Sequence, residues 1–194
     1  MKRLMKRLLG GVVVAAVVLG AWGGAHAAMV TQLNITGGSI NMNFGALGSI
    51  SGSFQQPGAL VMGTFQSAPD ILAPVMVDGH IFEFSTQSLG GLLNAPTAQT
   101  SGTTITADLS SLFATITGPL SGSLNVGGAA TGTYDPLTGH FSLSWTRVLD
   151  VASADFGFEG TADVAPVPLP AAAGLFAAGL ASFAGWGARR RVVC

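Results

Sequence analysis

Between Phe141 and Thr146 the chain reads Phe-Ser-Leu-Ser-Trp-Thr, apolar and polar residues in strict alternation. An extended strand sends successive side chains to opposite faces, so Phe141, Leu143 and Trp145 share one face and the hydroxyls take the other. The same spacing recurs where Ile81 is flanked by His80 and Phe82, and where Phe156 and Phe158 alternate with Asp155, Gly157 and Glu159. Nineteen of the 28 glycines fall between residues 28 and 167, and each would cost a helix interior about 1 kcal/mol. No stretch of that region keeps a 3.6-residue period for more than a few residues.

Turn chemistry agrees with the alternation. Asp78-Gly79 sits between Val75-Met76-Val77 and the run from His80 to Phe84, as a two-residue hairpin with positive φ at both central positions requires. Asp135-Pro136-Leu137-Thr138-Gly139 reads as a type I turn closed by a left-handed glycine. Together these signals predict an all-β domain, an antiparallel sandwich or small barrel of about ten short strands. Strands are expected near residues 30–36, 39–44, 49–54, 60–66, 75–77, 80–85, 103–107, 112–117, 121–126, 130–134, 140–149 and 155–163, some of them merging. Residues 86–102, with Gly90-Gly91, Pro96 and many Thr and Ser, read as the longest loop. In this scheme Phe141, Leu143 and Trp145 face the core, while Asp155, Glu159 and Asp163 face water.

The two ends have a different grammar. Charged residues are only 9% of the chain, against roughly 25% in ordinary soluble domains, and nearly all the cations lie at the ends. Lys2, Arg3, Lys6 and Arg7 precede an uncharged apolar run from Leu8 to Trp22, and Ala25 and Ala27 then supply the small pair of an A-x-A cleavage site. Residues 1–27 are thus expected to be a secretory signal peptide, formed as a signal helix and cut before Ala28. At the other end, residues 171–188 form an uncharged stretch that could just span a bilayer as a transmembrane helix of about 27 Å. Arg189, Arg190 and Arg191 follow it and hold that end in the cytoplasm, which leaves the body outside. The expected organisation is a signal peptide at 1–27, an exported β-domain at 28–166 and a C-terminal sorting segment at 167–194.

Val167-Pro168-Leu169-Pro170-Ala171, the Gly/Ala/Leu-rich span and the arginine cluster together resemble the C-terminal sorting signal of PEP-CTERM proteins, in its VPLPA variant. The resemblance covers about 25 residues of 194, and the tail departs from it slightly by continuing to Val192-Val193-Cys194. It implies processing by an exosortase, a membrane transpeptidase that removes the span and delivers the body to the cell surface or extracellular matrix. In the family this system accompanies exopolysaccharide production in Gram-negative bacteria. The expected partners are therefore signal peptidase, from the Ala25 and Ala27 site, and exosortase, from the resemblance, with the membrane before processing and exopolysaccharide as a further contact.

The body itself offers no legible reaction chemistry. From Ala28 to Val167 one arginine, Arg147, stands against nine carboxylates, a net charge of −8 that excludes a phosphate-backbone partner. The sole cysteine, Cys194, lies in the tail, so the exported body has neither thiolate chemistry nor disulfides. His80 and His140 each follow a turn glycine, which places them at strand starts facing solvent. Residues four apart in a strand are about 13.5 Å apart, so Asp155, Glu159 and Asp163 cannot share one cation. Gly37-Gly38 and Gly127-Gly128 lack the helix or lysine of a phosphate loop, and no G-x-S-x-G string occurs. Arg147 shares parity with Trp145, so it can lie beside that ring or pair with Asp150. No catalytic residue, metal site or cofactor is expected. The expected function is a non-enzymatic structural or glycan-contacting role, with a ligand-binding β-barrel and an extracellular polymer hydrolase as the alternatives.

Overall fold

The computed structural model describes residues 27–149 and 152–166. The expected signal peptide, sorting motif and C-terminal span lie outside the described residues. Among the described residues no helix is long and apolar enough to cross a membrane.

The domain is all-β, as the alternation requires. Its strands are β1 (Ala28–Asn43), β2 (Ser49–Phe54), β3 (Gly58–Val61), β4 (Val75–Val77), β5 (His80–Thr86), β6 (Thr97–Ser101), β7 (Thr104–Asp108), β8 (Leu112–Thr117), β9 (Gly122–Asn125), β10 (Ala129–Tyr134), β11 (His140–Leu149) and β12 (Ala152–Val164). Six of them, β1-β12-β11-β10-β7-β6, close on themselves as a barrel because β1 pairs with both β12 and β6. β2 and β3 add to β1 along its remaining edge, and β4-β5-β8-β9 form a separate antiparallel sheet.

Closure depends on the length of β1. Its first three residues pair with β6, its middle with β3 and its last six with β2, while β12 runs beside nearly all of it. Following hydrogen-bonded neighbours round the barrel from Met29 leads through Gln99, Thr106, Thr131, Ser144 and Gly157 to Ser39, ten residues further along the same strand. For six strands a stagger of this size means steeply tilted strands and an interior that side chains must fill.

The filling is uneven in a useful way. β6, β7 and β10 turn mainly small residues inward, Ala98, Ala107 and Ala130, with Ile105 the one bulky aliphatic among them, whereas β11 and β12 contribute Leu143, Trp145, Phe156 and Phe158. Small residues on one wall leave room for the rings of the other. Gly132 belongs to the small wall for a second reason: a Cβ there would lie 1.8 Å from the Ser142 carbonyl oxygen, so no other residue fits. The second sheet turns Phe82 and Phe84 to the same core, and Phe84 meets Phe158 edge-on at 5.7 Å. Phe141, Leu143 and Trp145 are buried, and Asp155, Glu159 and Asp163 are exposed, as expected.

Three expectations about strands need correction, the first being that the one expected near 60–66 is β3 and ends at Val61. Residues 97–101 are strand β6, not part of a long loop. The segments expected at 30–36 and 39–44 are one strand, carried through Gly37-Gly38 by a register shift against β12 between Ile35 and Gly37.

Candidate functional site

The row that closes the barrel is also its outer surface. Ser53, Ser39, Gly157, Ser144, Thr131, Thr106 and Gln99 are cross-strand neighbours from β2 round to β6, and all but the partly covered Gly157 and Thr106 are exposed. Neighbouring strands lie about 4.8 Å apart, so hydroxyl and amide groups repeat at that spacing around the barrel. Parallel rows continue the pattern: Ser51, Asn41, Asp155 and Thr146 above it, Glu159, Ser142, Thr133 and Thr104 beside it. Sequence alternation dictates this face, because the inward apolar residues of these strands are followed by polar ones, Gly157 after Phe156 excepted.

Within the face, Ser39, Ser53, Ser142 and Glu159 surround a shallow groove of about 190 Å³ floored by Gly38 and Gly157. Glycine makes the depression: a Cβ at Gly157 would lie 2.8 Å from the Ser39 hydroxyl, and one at Gly37 would lie 2.9 Å from Oε1 of Glu159. A second depression of about 370 Å³ lies over β6 and β7, where Met29, Gln99, Thr106 and Asp108 border the buried Ala98 and Ala107. Both are open surface features. The groove is smaller than the 300 to 1,000 Å³ typical of enclosed ligand sites. Its lining offers three hydroxyls and one carboxylate, chemistry suited to a hydroxylated surface and lacking a positioned nucleophile.

Three of the acids accept side-chain or backbone hydrogen bonds, whereas the Glu159 carboxylate in the groove accepts none among the described residues. The Thr146 hydroxyl donates to Oδ1 of Asp155 at 2.6 Å, and the Asn34 amide donates to Oδ2 of Asp163 at 3.1 Å. Asp135, in the β10–β11 turn, accepts from the Thr138 hydroxyl at 2.7 Å and from the Leu137 N–H at 2.9 Å. These donors, the hydroxyl foremost, hold its carboxyl below the ordinary aspartate value.

The histidines part company. His140 is exposed at the start of β11, as expected, but His80 is only 7% exposed. Nδ1 of His80 lies 2.9 Å from the Asp78 carbonyl oxygen, and Nε2 accepts the Leu120 N–H at 3.2 Å. A neutral ring carrying its hydrogen on Nδ1 satisfies both bonds, which leaves no ring nitrogen free for proton transfer. The signal for its burial is in the sequence: His80, Phe82 and Phe84 share one parity, and hence one face. His80 and His140 belong to different sheets. Among the described residues no three His, Cys, Asp or Glu side chains gather as a metal site would need. Arg147 is half-buried on the Trp145 side of β11, and its Nε is buried without a hydrogen-bond partner among the described residues.

Phe82, Phe84, Phe141 and Trp145, the residues that would line a ligand cavity, belong instead to one continuous core. Trp145 stacks on Phe156 at 5.5 Å, meets Phe158 edge-on at 5.1 Å and donates from Nε1 to the Val126 carbonyl at 2.8 Å. Phe65 alone among the aromatic side chains of the described residues is exposed. Comparison with known protein families, with characterised proteins and with solved structures finds no match to this chain.

Proposed function

We propose that this chain is an exported, exosortase-processed protein of the cell surface or extracellular matrix, whose β-domain acts by contact and not by catalysis. The observation that carries the contact role is the outer face of the barrel: serine, threonine and amide side chains in a row that crosses seven strands and is interrupted only at Gly157, flanked by shorter rows that include Asp155 and Glu159, around a core with its aromatic rings packed together. Such a face exchanges hydrogen bonds with a hydrated polymer at little desolvation cost, because each hydroxyl both donates and accepts. The targeting half of the proposal rests on the basic start, the Ala25 and Ala27 pair, the Val167 to Ala171 motif and the closing arginines.

The ligand-binding barrel has less support, since the rings that would form its cavity stack on one another. A hydrolase has less still. Its acids sit on an open face, and the ring nitrogens of His80 are both occupied.

Retention on the exopolysaccharide of the protein's own host tests the contact role. Thr131→Leu with Ser142→Leu, both on exposed outward positions, should lower retention several-fold while leaving the unfolding midpoint unchanged. Retention that survives both substitutions would refute polymer contact through this face.

A further inference from the structure

Strand pairing decides where the chain's two ends leave the domain. β1 begins at Ala28 and β12 finishes at Val164, and the two are antiparallel neighbours with Val30 opposite Val164. Beyond the pair, the Ala165 N–H donates to the Met29 carbonyl at 2.8 Å. Both ends therefore leave the same rim, side by side.

The sequence beyond them is short and then apolar. Residues 23–27 separate Ala28 from the uncharged run ending at Trp22, and residues 165–170 separate Val164 from the uncharged run starting at Ala171. At about 3.5 Å per extended residue neither connection spans more than roughly 25 Å. Each apolar run has its basic cluster on the side away from the barrel, so both enter a membrane from the same face.

A third feature shares the rim. The β10–β11 turn is fastened to the last residues of β12 through the Ala162 N–H, which donates to the Gly139 carbonyl at 2.9 Å. Hydrogen bonds from Leu137, Thr138 and Gly139 to Asp135 brace it. At its tip this braced turn holds Leu137 94% exposed, and Met29 on β1, across β12 from the turn, is 60% exposed. Exposed apolar groups contribute nothing to folding, whereas at a bilayer interface they gain by leaving water.

We propose that this rim is a lipid-contact surface. While both apolar runs are attached, the barrel stands on the bilayer by this end, tethered through two adjacent strands, with Leu137 in the interfacial layer. Asp135 and Asp163 flank the rim, so it favours neutral over anionic headgroups. Release then requires both cuts, because either remaining run holds the same rim. The inference rests on the reading of both ends as membrane segments.

The test uses the full chain carrying Cys194→Ser, with a single cysteine at Leu137→Cys or at Leu47→Cys. Leu47 is 71% exposed and lies beyond Asn43, at the opposite end of the sixteen-residue β1 from Ala28. Each variant, labelled with a fluorophore, is reconstituted into phosphatidylcholine–phosphatidylethanolamine vesicles, floated, and titrated with aqueous iodide. The quenching constant should be several-fold lower at position 137 than at position 47, and a shallow lipid-borne spin label should quench only the former. Co-flotation with equal iodide quenching at the two positions would overturn the lipid-contact rim alone. Failure to float would overturn the membrane reading and the rim with it.

Discussion

Replacing Trp145 by alanine tests how the core of the barrel is held together. The ring is 4% exposed, stacked on Phe156 and edge-on to Phe158, with its Nε1–H on the Val126 carbonyl. Truncating a buried aromatic ring costs about 3 to 5 kcal/mol through lost transfer energy and the cavity left behind. The same change strands the Val126 carbonyl, an added penalty of about 1 to 3 kcal/mol unless water reaches it. Trp145→Phe separates the two effects: it keeps most of the packing, loses the hydrogen bond and should cost about 1 to 3 kcal/mol. Urea unfolding of residues 28–166, which contain every described strand, measures both by far-ultraviolet circular dichroism. A loss below about 1 kcal/mol for Trp145→Ala would refute a packed aromatic core. Equal costs for the two variants would show that the hydrogen bond, not the packing, dominates.

Glycine substitutions should divide by backbone approach. Gly132→Ala places a methyl on the Ser142 carbonyl and should cost several kcal/mol or prevent folding, whereas Gly122→Ala meets open space and should shift stability by no more than about 0.5 kcal/mol in the same unfolding assay. His80→Ala leaves the Leu120 N–H without its acceptor, so stability should fall by about 1 to 3 kcal/mol and the Leu120 amide should exchange faster by nuclear magnetic resonance. Asp135 has its carboxyl held below 3.8, first by the Thr138 hydroxyl and then by the Leu137 N–H. A lowered folded value means its stabilisation is complete above the unfolded value and fades as pH falls through the folded one, so the gap between wild type and Asp135→Asn should narrow in acid. A gap that widens below pH 3.8 would contradict that sign.

Much of the fold was legible because period-two alternation and turn chemistry are local. Asp78 and Gly79 both take positive φ, 48° and 74°, as their pairing suggests, and Gly139 closes its turn at φ 74° with its N–H on the Asp135 carbonyl. β6 escaped notice because its inward residues are Ala98 and Thr100, too small to mark a strand. It is a strand because β1 and β7 flank it, a partnership that only the closed barrel creates. The merging of two expected strands into β1 depends on Gly37-Gly38 passing between Glu159 and Phe54, again a long-range fit. The polar face was implicit in the alternation, but its continuity round the barrel needed the registers of six pairings. For His80 the adjacent turn glycine suggests exposure, but its parity with Phe82 sets its burial.

Intact mass and N-terminal sequence of the exported form, from a host with the matching exosortase, bear on the proposed function most directly. Processing at both ends should give a chain beginning at Ala28 and ending close to Pro168 to Ala171, without Arg189, Arg190 and Arg191. Recovery of a surface or medium form that still starts at Met1 or still carries Cys194 would contradict it.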